Sequence, residues 1–224
     1  MKRKIFAALC CVAAVFAACE KNDVEPTAGD ANGHEYVDLG LSVKWATCNI
    51  GATTPEDYGN YYAWGEAKPQ STYNWSTYKW CNGSSSTFTK YNTSSSFGTV
   101  DNKTVLDLAD DAARANWGGS WRMPTDAEWQ ELRDNCTWTW KTLNGINGFE
   151  VKGPNGNSIF LPAAGYRGND DLYSAGDFGH YWSSSLYAVN PSGAWDVNFF
   201  SDNVSGGYGS RYCGLSVRPV IKID

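Results

Sequence analysis

The sequence predicts an α+β fold: short strands and two small helices joined by long loops. Three observations carry it. Apolar and polar residues alternate over residues 37–45 and again from Leu215 to the end of the chain, the period of a half-buried strand. Between these ends, residues 106–117 and 125–132 space their apolar side chains as helices do. Strands at both ends with two helices between them suit small mixed or antiparallel sheets whose first and last strands pair, leaving the termini adjacent.

The chain opens with an address. Lys2, Arg3 and Lys4 precede an unbroken apolar run, residues 5–17, shorter than the about 20 residues a membrane-spanning helix needs. The run ends Phe16-Ala17-Ala18-Cys19, small residues before a cysteine, as at a lipoprotein cleavage site. A bulky Phe16 argues against an ordinary secretory cut there. Residues 1–18 are therefore expected to be a lipoprotein signal peptide and Cys19 the lipidated residue. The expected location is the outer membrane, lipid-anchored, with the acidic Glu20 and Asp23 pointing to the cell surface. Residues 19–33 are polar and rich in Gly, Pro, Asn and acidic residues, too poor in apolar surface to fold. They are expected to be a flexible tether reaching about 20 Å, with residues 34–224 as one domain.

Within that domain, Val37, Leu39, Leu41, Val43 and Trp45 mark a strand, or a hairpin turning near Gly40. Residues 49–96 are dense in Tyr, Trp, Gly, Ser, Thr and Asn and read as long loops packed by their rings. The first helix, 106–117, carries Leu108, Ala109, Ala112, Ala113 and Trp117 and stops at Gly118-Gly119. The second follows Pro124, with Thr125 as cap and Glu128 placed to complete a capping box. Residues 149–152 and 158–161 flank Gly153-Pro154-Asn155-Gly156-Asn157, a hairpin with a long turn. Leu215, Val217, Pro219, Ile221 and Ile223 form the last strand, Pro219 being suited to an edge.

Charge excludes some partners. The chain has 18 Lys+Arg against 24 Asp+Glu, and loss of Lys2, Arg3 and Lys4 leaves 15 against 24, near −9. With no basic stripe, neither nucleic acid nor an anionic lipid surface is an expected partner. Cys48, Cys81, Cys136 and Cys213 remain in the mature domain and can pair in three ways. The lack of CxxC or a Cys/His cluster argues against zinc, and no cofactor is expected.

Six ordered blocks resemble a known family. They are Gly40-Leu41-Ser42-Val43-Lys44-Trp45-Ala46-Thr47-Cys48-Asn49-Ile50-Gly51-Ala52, Tyr62-Ala63-Trp64-Gly65-Glu66, and Asn116-Trp117-Gly118-Gly119-Ser120-Trp121-Arg122-Met123-Pro124-Thr125. The others are Phe160-Leu161-Pro162-Ala163-Ala164-Gly165-Tyr166-Arg167, Tyr181-Trp182-Ser183-Ser184-Ser185 and Gly214-Leu215-Ser216-Val217-Arg218-Pro219-Val220. Together they resemble the paralogous lipoprotein domain of Bacteroides and Fibrobacter. The resemblance implies a C-type-lectin-like fold, in the branch that includes formylglycine-generating enzymes. Some members are also similar to target proteins of diversity-generating retroelements, whose variable stretch would here be residues 186–215. Within that window only Trp195 lies outside the residues reachable by randomising the adenines of an Asn codon. Lys, Glu and Gln are, however, absent from Gly153 to Ile221, so the depletion is broader than the window.

The window mixes Tyr with Ser, Gly and Asn, the combination of large rigid contacts and adaptable hydrogen bonds found in antibody paratopes. The expected ligand-binding residues are Tyr187, Asn190, Asp196, Asn198, Asp202, Asn203, Tyr208, Ser210 and Tyr212, with the tyrosines as anchors and an unidentified protein or glycan as ligand. Trp182 and Trp195 are read as core rather than sugar platforms. Catalytic residues are not expected: His34 and His180 are the only histidines, and no Ser/His/Asp spacing, HExxH motif or phosphate loop is present. The late cysteine pair that binds copper in the formylglycine-generating relatives is reduced here to Cys213. Cys48 with Cys136 is the favoured disulfide, leaving Cys213 to Cys81 or as a free thiol. The Glu-Pro-Asn, Gln-Pro-Asp and Trp-Asn-Asp motifs of calcium-dependent lectins do not occur. A structural or adhesive cell-surface subunit, or a glycan hydrolase built on the loop aspartates, are the rival readings.

Overall fold

The computed structural model describes residues 28–222; the expected signal peptide, the expected lipidation site Cys19, residues 20–27, Ile223 and Asp224 lie outside the described residues. The chain forms a mostly-sheet α+β protein with small antiparallel sheets and two helices. Strand β1 (Ala28–Ala31) pairs with β2 (His34–Val37), so residues 28–33, expected to belong to the tether, form a strand and hairpin turn instead. The cause is local. Asn32 and Gly33 both take positive φ, 54° and 80°, the geometry of a two-residue hairpin turn. Asp30 Oδ1 then accepts the Gly33 N–H at 3.0 Å, and the Trp121 indole donates to the Ala31 carbonyl at 2.8 Å.

The 37–45 alternation resolves into a hairpin. β2 pairs with β3 (Lys44–Ala46) across a turn at Gly40, whose φ is 77°. β12 (Val220–Ile221) pairs with β3 in turn, giving the sheet order β1-β2-β3-β12. The expected last strand is thus shorter, because Leu215 and Ser216 bridge to Tyr62 and Tyr181 instead. Residues 47–94 carry no strand or helix, and Tyr73, Tyr78, Phe88 and Tyr91 from this stretch are fully buried, as a ring-packed loop requires.

The first helix, α1 (Ala112–Trp117), is half the expected length. Asp111 caps it by accepting the Arg114 N–H at 3.0 Å, so the helix cannot begin earlier. Leu106 instead donates its N–H to the Ser184 carbonyl, and Leu108 is 55% exposed. Gly118, at φ 67°, ends the helix as expected. Helix α2 (Asp126–Asn135) has the full Thr125/Glu128 capping box and buries Trp129 and Leu132.

Beyond α2, β4 (Thr137–Leu143), β5 (Ile146–Lys152) and β6 (Ser158–Pro162) form an antiparallel sheet. The β5–β6 hairpin is the expected one; β4 was not anticipated, although Trp138, Trp140 and their threonine neighbours alternate. A two-stranded ribbon follows, β7 (Tyr166–Gly168) with β8 (Asp171–Tyr173). The chain then lays down a three-stranded meander: β9 (Gly179–Leu186), β10 (Gly193–Phe200) and β11 (Asn203–Ser210).

This meander positions the candidate site, and alternation fixes its two faces. Tyr181, Val197 and Phe199 point into one apolar cluster with Trp45, Trp129 and Phe149. Trp182 belongs to another, with Trp64, Trp121 and Leu215, and its indole donates to the Tyr62 carbonyl at 2.8 Å. Two fully buried arginines tie the loops to this core without any carboxylate. Arg218 donates to Asn49 Oδ1 and to the carbonyls of Ala46, Thr47 and Phe160; Arg211 donates to the Tyr78 hydroxyl and to the carbonyls of Lys90, Tyr91 and Pro191. Each guanidinium thus places four hydrogen bonds, at least one from every nitrogen, in a dry interior.

The cysteine expectation is corrected too. Cys48, Cys81, Cys136 and Cys213 are all free, and the Cys48–Cys136 bridge is not formed. Cys48 follows β3 and lies 3.6 Å from its neighbour's Thr47 Oγ1, whereas Cys136 ends α2 and packs against the Trp129 cluster.

Candidate functional site

Residues 186–215 are chiefly strand, not loop: β10 and β11 occupy most of the stretch. Sequence reading missed this because Gly206, Gly207 and Gly209 resemble turn residues. They sit within β11 for a packing reason. A Cβ on Gly207 would stand 2.4 Å from Asn198 Nδ2 and 2.9 Å from Asp196 Oδ1, and one on Gly209 would stand 3.1 Å from the Trp182 ring. Gly207 and Gly209 leave room for the side chains of β9 and β10, and Gly206, on the other face, for Arg133 of α2.

Gly209 opens onto a cavity of about 250 Å³ lined also by Tyr166, His180, Asp196, Asn198, Tyr208, Cys213 and Leu215. Its polar floor is connected. Cross-strand pairing sets Asn198 opposite both His180 and Ser205. Ser205 Oγ donates to Asn198 Oδ1 at 2.8 Å, and Asn198 Nδ2 reaches Asp196 Oδ1 at 3.4 Å. His180 Nδ1 lies 3.4 Å from Asp196 Oδ2. Asp196 itself is only 3% exposed.

The walls are aromatic. Tyr166 meets the His180 ring edge-on, with centroids 5.2 Å apart. Tyr208, 56% exposed, borders the cavity from the edge strand, but its ring lies on the other face, opposite Trp195, where it stacks on Tyr187 at 4.1 Å and Tyr187 meets Trp195 edge-on at 4.9 Å. Burial pushes the Cys213 thiol up to about 11, which keeps it protonated near neutral pH and makes it a poor nucleophile.

Of the nine expected residues, Asp196, Asn198 and Tyr208 border this cavity, and Tyr187 stacks on the Tyr208 ring on the sheet's other face. Asp202 and Asn203 lie elsewhere, at the β10–β11 turn beside Trp138, Trp140 and Phe149. Asn190 is structural: its Oδ1 accepts the N–H and hydroxyl of Ser192 at 3.2 and 2.7 Å. Tyr212 packs against Trp75 at 4.8 Å in a neighbouring apolar cluster. Ser210 is exposed at the end of β11 and outside the cavity. Sequence reading missed Tyr166 and His180. The signal for His180 was the period of two through Gly179–Leu186, which places it on the Trp182 face beside Asn198.

The arrangement offers hydrogen bonding at its floor and flat contact at its rim. Among the described residues no group of three or more His, Cys, Asp or Glu could hold a metal ion, and no helix is long and apolar enough to cross a membrane. No family model, curated protein or solved structure matches the chain.

Proposed function

We propose that this protein is a lipid-anchored recognition module of the bacterial outer membrane. Cys19 is the anchor, residues up to about 27 are the spacer, and the β9–β11 meander around the Asp196 cavity and the edge-strand Tyr208 is the ligand-contacting surface. The observation that carries this reading is the cavity beside Gly209, with the buried Asp196 in its floor, next to the exposed Tyr208 that is already stacked on Tyr187 at the edge of the same sheet. A tyrosine already held by its neighbour loses little side-chain freedom on binding. The fold reading that fits is the C-type-lectin-like one, supported by small antiparallel sheets and two helices, and by β12 pairing with β3.

The test is ligand capture from glycan arrays and displayed peptide libraries by the wild type and by the double variant Tyr187→Ala, Tyr208→Ala. Ligands retained by the wild type and lost by the double variant support the reading. Equal capture would move the binding surface elsewhere. Export and lipid attachment are checked by labelling with a radioactive fatty acid and by protease shaving of intact cells, with Cys19→Ala as the control.

Diversification of residues 186–215 belongs to the same proposal and has its own test in flanking DNA. A near-copy of the coding segment, differing only at template adenines and lying beside a reverse transcriptase gene, would support it. The rival readings also separate. An assembly subunit co-purifies with an envelope structure and needs no soluble ligand. A hydrolase turns over glycans and loses turnover in an aspartate-to-asparagine variant.

A further inference from the structure

We infer that the outer edge of β11 accepts an extended segment of a partner protein as a further antiparallel strand, with one acidic side chain of that segment on Arg133 and an aromatic one against Tyr208. The inference rests on the recognition reading above and names its ligand.

The edge comes first. β11 pairs with β10 through eight consecutive residues without a shift in register, and none of them is buried. Among the described residues, no backbone group meets its outer side between Asn203 and Gly209. Alternate residues therefore present both N–H and C=O outward. The devices that usually blunt such an edge are missing: the strand has no Pro, no charged residue and no bulge. Elsewhere the edges are managed. β1 has four residues, β4 carries Lys141, and the far side of β9 is taken by bridges to Val105 and Ser216.

Arg133 selects the incoming side chain. It projects from α2 over Gly206, its guanidinium carbon and both terminal nitrogens 2.9–3.2 Å from where a Cβ would stand. Its Nε is buried with no hydrogen-bond partner, and among the described residues no carboxylate reaches it as an ion pair. Asp126, two turns back on α2, acts on it from farther away: burial pushes that carboxyl up and Arg133 opposes the push.

The pleat keeps Gly206 and Tyr208 on one face, paired with Val197 and Trp195. In an added strand the residue opposite Gly206 therefore lies beside Arg133, and an acid there gains a charge-assisted hydrogen bond. The residue opposite Tyr208 meets a ring that is 56% exposed and already stacked on Tyr187. The residue between them turns to the cavity face, opposite Gly207. Antiparallel pairing, the more stable ladder, orders them aromatic, spacer, acid. A second copy of this chain does not fit, because β11 has no Asp or Glu to bring to Arg133. The chain's own acidic balance disfavours a run of acids, so a single carboxylate is selected.

The test uses full-length protein in detergent and the peptide acetyl-Ser-Val-Tyr-Thr-Glu-Val-Ser-amide, followed by amide NMR shifts and hydrogen exchange. The peptide is expected to saturate and to slow exchange of alternate amides in residues 203–210, which contact through side chains alone would not do. Replacing its Glu by Gln should weaken binding about tenfold. Arg133→Met should weaken the Glu peptide by a similar factor and leave the Gln peptide unchanged. Peptides N-methylated at alternate residues should divide: one pattern abolishes binding and the other spares it. Absence of saturation overturns the inference, as does binding indifferent to the Glu or an equal response to both methylation patterns. Self-association that already protects residues 203–210 without peptide would give the edge to a second copy and overturn it too. Should ligands captured through Tyr187 and Tyr208 leave the exchange of residues 203–210 unchanged, recognition at this face stands and strand addition fails.

Discussion

Arg211 Nη1 donates to the carbonyl of Pro191 at 2.9 Å, and the same nitrogen donates to the carbonyl of Tyr91 at the same distance. One fully buried side chain thus joins the turn between β9 and β10 to the ring-packed loop a hundred residues earlier in the chain. Its guanidinium also lies over Trp64, Tyr78 and Phe88, with 4.4 Å to the Phe88 centroid. Arg211→Met keeps the volume but strands three carbonyls and a hydroxyl. Unpaired buried polar groups cost about 1–3 kcal/mol each; with partial relaxation the variant should lose roughly 3–5 kcal/mol in urea unfolding. A loss under about 1 kcal/mol would mean that water replaces the guanidinium.

Gly207 gives a sharper handle on the site. Its φ carries no left-handed strain, and an added methyl would meet the Asn198 amide end at 2.4 Å and Asp196 Oδ1 at 2.9 Å, displacing both side chains by small rotations. Gly207→Ala should therefore cost only about 1 kcal/mol of stability while filling the space over Asp196. Ligand capture should fall about tenfold or more with a near-native melting curve. Undiminished capture would place the ligand away from the cavity.

The sequence carried the elements whose signals are local. The Thr125/Glu128 box starts α2, and Gly153-Pro154-Asn155-Gly156-Asn157 turns β5 into β6, as the residues alone dictate. What failed depended on partners distant in the chain. Leu106 looks helical by spacing, but its N–H is taken by Ser184. Gly206, Gly207 and Gly209 look like a turn, yet β10 pairs along their whole length. The site divides in the same way. Asp196, Asn198 and Tyr208 were legible as polar and aromatic residues of one window, whereas Tyr166 comes from β7 and enters only through the fold.

The four free thiols imply a domain indifferent to reductant. Its melting temperature should be unchanged by dithiothreitol, where loss of a native disulfide would typically cost 2–5 kcal/mol. Cys136 and Cys213, both pushed up to about 11 by burial, should alkylate slowly in the native protein and rapidly in urea. A reductant-dependent melting temperature would show that a bridge forms after export.

Glu128 makes stability depend on acid in a predictable direction. Burial alone would raise its carboxyl, but Arg122 donates to both oxygens at 2.7 and 2.5 Å and the Thr125 N–H donates at 2.8 Å. Against the desolvation, these contacts hold it below its ordinary 4.5. A carboxyl depressed by folding stabilises the native state fully above its unfolded value, and that contribution drains away as pH falls through the lower folded value. The contribution should thus be intact at neutrality and begin to fail below about pH 4.5. Glu128→Gln keeps the shape but loses the charge, weakening both the Arg122 pair and the cap; about 1–3 kcal/mol should be lost near neutrality. Urea unfolding of both proteins across the acid range checks this. The gap between them should narrow steadily as Glu128 protonates in the wild type, and a gap that stays constant with pH would assign the loss to packing rather than to the carboxylate.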